Sequence, residues 1–165
     1  MAHGNVLALA GLATALAASS ATAGKWRVYH NDRFGATAEY PAAWKMEPAP
    51  ENDDGRVFTS PDGKARVTIS GIFAINPREE EITEKAQPFE GEKVTYRAHK
   101  GDWIVVSGTR GGAIFYRKSL ISCHNQLWND VEIDYPAEER AKYDPLVAHI
   151  AASLKPGKGY GLQCD

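Results

Sequence analysis

The stretch from Tyr96 to Ile121 constrains this chain most, because it reads as three strands folded back on one another. Lys100-Gly101-Asp102 and Gly108-Thr109-Arg110-Gly111-Gly112 are short and contain glycine, so each supplies the positive φ that a hairpin reversal demands. Between them, Trp103-Ile104-Val105-Val106 sets four apolar side chains in succession. Successive strand residues point to opposite faces, so the run predicts a strand covered on both sides, in the middle of a sheet.

Two more hairpins are predicted upstream. Trp26 to His30 and Phe34 to Tyr40 flank the reversal Asn31-Asp32, with Trp26 and Val28 on one face and Pro41 ending the extended run. His30, beside that turn, reads as a solvated side chain. Arg56 to Ser60 and Ala65 to Gly71 flank Pro61-Asp62-Gly63, which pairs Val57 with Thr59 and Val67 with Ile69 on alternating positions. Pro41, Pro48 and Pro50 break the intervening segment into a loop, from which Trp44 and Met46 are expected to cover the sheet edge.

Helix signals are sparser. Asn76 as N-cap, Pro77 at the first helical position and Glu79-Glu80 in the first turn start a short helix. Its one strong apolar residue, Ile82, predicts shallow burial and a solvated glutamate face. From Leu127 to Tyr135, Val131, Ile133 and Tyr135 alternate with Glu132 and Asp134, as in a strand with one wet face. Pro136 ends it and opens a helix that Asp144-Pro145 should kink or restart. Leu146, Ile150 and Leu154, with Val147 and Ala151 beside them, form an apolar stripe for the sheet, and His149 lies off it. The fold class is therefore α+β: a single antiparallel meander packed by a C-terminal helix and a short mid-chain helix.

Residues 1–23 carry no charged side chain, and the apolar run Val6 to Ala18 precedes the small-x-small site Ala21-Thr22-Ala23. That is the pattern of a secretory signal peptide cleaved after Ala23. The run is shorter than the about 20 residues a bilayer span needs, so no stable membrane span is expected after cleavage. Residues 24–165 then make one domain in the periplasm or outside the cell. In such an oxidising compartment Cys123 and Cys164 read as one disulfide, tying the end of the meander to the glycine-rich tail. The rival reading, a Cys123 nucleophile served by His124, is disfavoured because adjacent strand residues point to opposite faces. A net charge of −2 argues against a nucleic-acid partner.

The acidic run Glu51-Asn52-Asp53-Asp54-Gly55 invites calcium, but the EF-hand register puts Pro50 where Asp is required, and the run reads as a turn. No Gly-x-Ser-x-Gly elbow, Walker loop, His-Glu-x-x-His or Cys-x-x-Cys occurs. Gly108 to Gly112 lacks the lysine of a phosphate cradle and lies between strands. No catalytic, cofactor-binding or metal-binding residue is predicted, and no cofactor. Candidate partner surface falls at Arg110, Tyr116 and Arg117 by the hairpin, and at Asp53, Asp54 and Arg56.

The element order, with Phe34-Gly35, Tyr40-Pro41, Trp44, Phe58-Thr59-Ser60-Pro61-Asp62-Gly63 and the ending Ile150-Ala151-Ala152-Ser153-Leu154, resembles the PsbP-like superfamily. That superfamily includes the photosystem oxygen-evolving subunit and the Ran-interacting Mog protein; a branch of exported bacterial proteins resembles this chain too. The resemblance covers most of residues 26–155 and rests on turn and core positions. It implies a PsbP-like α/β/α sandwich and an accessory or protein-binding role for an envelope partner, rather than an enzyme. Ran itself is excluded as a partner by the expected export. A periplasmic hydrolase and a metal-binding envelope protein are the alternatives.

Overall fold

In the computed structural model the described residues are 25–158, 161, 162 and 164, so the expected signal peptide, residues 1–23, lies outside them. The opening hairpin pairs β1 (Trp26–His30) with β2 (Thr37–Pro41) as a small sheet of its own. Asn31 builds its turn: buried, it accepts the Phe34 N–H on Oδ1 at 2.7 Å and donates from Nδ2 to the Asp53 carbonyl at 2.9 Å. The inward phase is opposite to expectation, since Tyr29 is buried and Val28 is 64% exposed. Tyr29 takes the face that lies on the core, while Trp26, on the Val28 face, is half-buried and stacks on His149 with ring centroids 3.8 Å apart.

The main sheet contains β3 (Lys45–Met46), β4 (Gly55–Thr59), β5 (Arg66–Phe73), β6 (Glu92–Lys100), β7 (Trp103–Arg110), β8 (Ala113–Ser122) and β9 (Leu127–Pro136). Their spatial order is β3-β4-β5-β9-β8-β7-β6, every pair antiparallel. The meander β6–β7–β8 folds as expected, with Gly101 at one turn and Gly111-Gly112, φ 55° and 86°, forming the two-residue turn of the other. Gly108 belongs to β7 rather than to that turn. A Cβ there would meet the Lys93 carbonyl oxygen at 2.0 Å, beside the bulge between Val94 and Tyr96. The expected middle strand, β7, lies next to the edge. The centre is β9, which returns between β5 and β8, a long-range choice that no local pattern encodes.

On one face, the hairpin and α2 (Arg140–Ser153), which follows a 3-10 turn at Ala137–Glu139, close the larger core. Tyr29, Tyr40, Trp44 and Phe58 pack there against Val67, Ile69, Val131 and Ile133. Phe58 faces inward, with Val57 and Thr59 half-buried on the other side; Trp44 is buried, while Met46, in the edge strand β3, is 54% exposed. Pro145 lies inside α2, which neither stops nor restarts there. Its buried face is Tyr143, Val147, Ile150 and Ala151, followed by Leu154, with Leu146 only half-buried.

On the other face, α1 (Arg78–Lys85) sets Ile82 on Ile104, Val106, Phe115, Ile121 and Trp128. Pro77, not Asn76, occupies the N-cap, and no side chain caps it. Glu81 is buried instead of solvated. Its Oε1 accepts the Ile75 and Asn76 N–H groups at 2.8 and 2.9 Å, and its Oε2 accepts Trp128 Nε1–H at 2.6 Å.

The C-terminal tail crosses the opening turn. The Lys155 N–H donates to the Thr37 carbonyl at 2.8 Å, and the Gly157 N–H to Asn129 Oδ1 at 2.6 Å. A Cβ on Gly35 would lie 2.6 Å from Gly157 Cα, so this crossing needs glycine. Cys123 and Cys164 form the expected disulfide, with Cα atoms 4.4 Å apart. Cys123, His124 and Asn125 all have positive φ in the turn after β8, so strand alternation does not separate that thiol from His124; the bond itself removes the nucleophile.

Candidate functional site

α2 packs against β2 and β9 and leaves the β6–β7–β8 end of the same face without a helix. The space between is a cleft of about 600 Å³, within the roughly 300–1,000 Å³ of small-ligand sites. Period-two alternation supplies its floor: Trp103, Val105 and Ser107 from β7, and Ile114, Tyr116 and Lys118 from β8. Tyr96 and Tyr135 flank the floor. α2 supplies the wall, and it stays thin because Ala148, Ala151 and Ala152 fall on this side of the helix.

Polar groups in the cleft are few. Asp144 accepts the Tyr135 hydroxyl at 2.7 Å on Oδ1, and its Oδ2 lies 3.3 Å from the Arg140 guanidinium. Burial, then the bond to Asp144, pushes the Tyr135 phenol far above its ordinary range. Burial, then the neighbouring Tyr96, raises the Tyr116 phenol as well. The Ser107 hydroxyl is used on the Phe115 carbonyl at 2.8 Å. Lys118 donates from Nζ to the Ala151 carbonyl at 2.7 Å, and burial lowers its pKa. The arrangement offers aromatic surface and two cations, of which Arg140 is paired with Asp144 and Lys118 has no acidic partner among the described residues.

The six residues expected to form a partner surface do not gather at one site: Arg110 and Arg117 share Glu92, Arg56 pairs with Asp53, and Tyr116 faces away from Arg117. Tyr116 lies in the cleft, while Arg117 points to the opposite face and is buried. Its guanidinium sits 3.9 Å from the Phe89 ring centroid and reaches Glu92 at 2.6 and 2.8 Å. Arg110 pairs with Asp134 at 2.7 Å and Glu92 at 3.3 Å. Arg56 lies 3.4 Å from Asp53, and the Asp53 and Asp54 carbonyls accept Asn31 Nδ2 and the Gly71 N–H. Asp54 and Arg117 share a smaller groove of about 220 Å³ with Lys85, Asp130 and Glu132. Burial first, then Asp134, raises the pKa of Glu132 in that groove. Among the described residues, no group of three or more His, Cys, Asp or Glu could hold a metal ion. No described helix is long and apolar enough to cross a membrane.

Sequence reasoning missed Lys118 and the aromatic floor, because Trp103 to Val106 reads as covered on both sides. The available signal was Ala148, Ala151 and Ala152, too small to fill the space above those strands.

The chain matches no protein-family profile and no curated protein by sequence. Solved structures share its fold. The yeast Ran-binding protein Mog1p, from Saccharomyces cerevisiae, is similar at TM-score 0.55 and 7% identity, over 81% of this chain and 96% of that one. Cyanobacterial PsbP (CyanoP) from Synechocystis is similar at TM-score 0.55 and 10% identity, over 84% and 96%. A Bacteroides thetaiotaomicron protein gives TM-score 0.50 and 16% identity, over 82% of this chain and 49% of that one. The chain thus has the Mog1/PsbP-like α+β fold, as the sequence resemblance implies.

Proposed function

We propose that this protein is a non-enzymatic accessory domain of the cell envelope that binds a partner protein through the cleft beside α2. The observation that carries this reading is the composition of the cleft: the aromatic side chains of Tyr96, Trp103, Tyr116 and Tyr135 beside Val105 and Ile114, with the one carboxylate, Asp144, already engaged. Aromatic side chains in a concave setting are the residue types that dominate binding energy. Hydrolysis needs a free acid–base pair or an activated nucleophile, which these lining residues do not supply. The Cys123–Cys164 disulfide supports an oxidising compartment, in keeping with a cleaved signal peptide at residues 1–23 and one domain over residues 24–165. Mog1p, of the same fold, is named for binding another protein, Ran. The test is retention of a specific protein from an envelope fraction by immobilised wild type but not by Trp103→Ala/Tyr116→Ala. Turnover of a hydrolase substrate panel, with equal retention by both forms, would overturn the reading.

A further inference from the structure

The feature of the cleft least explained by folding is Lys118. It stands half-buried on β8 among Tyr116, Trp103, Val147 and Ala151, and forms no ion pair among the described residues. An ammonium has three donors. One caps the last turn of α2 through the Ala151 carbonyl, a favourable site for a cation at the negative end of a helix. The other two have no partner among the described residues. Asp144, the one acid lining the cleft, is balanced by Arg140, so the bowl carries one uncompensated positive charge. The lowering of the Lys118 pKa has burial as its sole cause, which fits a cation that meets no anion at home.

Resting on the binding role above, we propose that the cleft recognises an apolar polypeptide segment that carries a carboxylate, and that Lys118 pairs with that carboxylate. The charge comes from an Asp or Glu side chain or from a chain terminus; the recognising chemistry is the same. Trp103, Tyr96 and Tyr116 then receive the apolar side chains on either side of the acid. A carboxylate arriving at this half-buried, uncompensated cation gains a charge-assisted hydrogen bond, while a neutral amide offers only the weaker bond of an uncharged acceptor. A polypeptide suits this cleft because the floor reaches the terminal strand β6, where Tyr96 is 56% exposed and a chain can leave without burying its ends.

The experiment is an NMR titration of the protein with three probes: acetyl-Phe-Leu-Trp as the free acid, as the neutral amide, and as the amide extended by one glutamate. The expected result is that one or both acidic probes bind at least about fivefold tighter than the neutral amide, with shifts at Trp103 and Val147. Lys118→Met removes the preference and Lys118→Arg keeps it. Should Lys118→Met disturb the end of α2, the salt dependence of the wild-type preference decides: it shrinks as ionic strength rises. Equal binding of all three probes in the cleft overturns the role of Lys118 and leaves the binding reading standing. Shifts with sodium laurate but with no peptide make the occupant a small amphiphile and overturn both. No cleft shifts with any probe overturn both as well.

Discussion

Asn129 is fully buried at the point where three segments meet. It donates from Nδ2 to the Phe34 carbonyl at 3.3 Å and accepts the Gly157 N–H on Oδ1 at 2.6 Å. Asn129→Ala strands both groups, and urea denaturation is expected to show a loss of about 1–3 kcal/mol. Glu81 makes a second such knot and adds a pH dependence. Burial alone would raise its pKa, but the Asn76 N–H, the Trp128 indole and the Ile75 N–H together outweigh burial and hold it below the ordinary glutamate value. A carboxyl depressed on folding stabilises the protein above its unfolded value and loses that contribution as pH falls through the folded one. Glu81→Gln should therefore destabilise the protein at pH 7, and the gap to wild type should narrow below about pH 4. Neither knot was visible in the sequence. Asn129 reads as one polar residue in a strand, and Glu81 as one of three glutamates on a solvated helix, because partners 95 and 47 residues away decide their roles.

Elements were more legible than the faces they bury. Hairpin turns at Pro61-Asp62-Gly63 and Gly111-Gly112 announce themselves because few residue types tolerate their backbone. The phase of β1 was not legible, since Val28 and Tyr29 are both apolar enough to enter a core and only the packed hairpin selects between them. In α2 the expected stripe is displaced from Leu146 toward Tyr143 and Val147, because the sheet meets the helix one position round. Ile150 is on the buried face in either reading and is fully inaccessible. Ile150→Asp places an unpaired charge there and should abolish the native circular dichroism signal at ambient temperature. The tail is held differently. The disulfide closes a sequence separation of 41 residues, worth up to about 4 kcal/mol by chain entropy. Cys123→Ser/Cys164→Ser should lower the melting temperature measured by calorimetry, and reducing agent should reproduce the drop in wild type alone.

At the scale of the whole molecule, the antiparallel α+β architecture was legible, because turn chemistry and strand alternation accumulate along the chain. The strand order was not, since inserting β9 between β5 and β8 is decided by contacts that no local window contains. The same limit hid the cleft: its residues come from β6, β7, β8, β9 and α2, and its defining property is volume that nothing fills. Ala148, Ala151 and Ala152 leave that volume open on the helix side. Larger side chains on this wall are chemically simple to reach and would gain apolar burial against Trp103 and Tyr116. Ala152→Leu should accordingly raise or preserve the melting temperature while blocking every cleft ligand, as read by the same titration. Three methyl groups thus mark where the sheet stops being scaffold and becomes a receptacle, and a sturdier version of this molecule lies one plugged vacancy away from being mute.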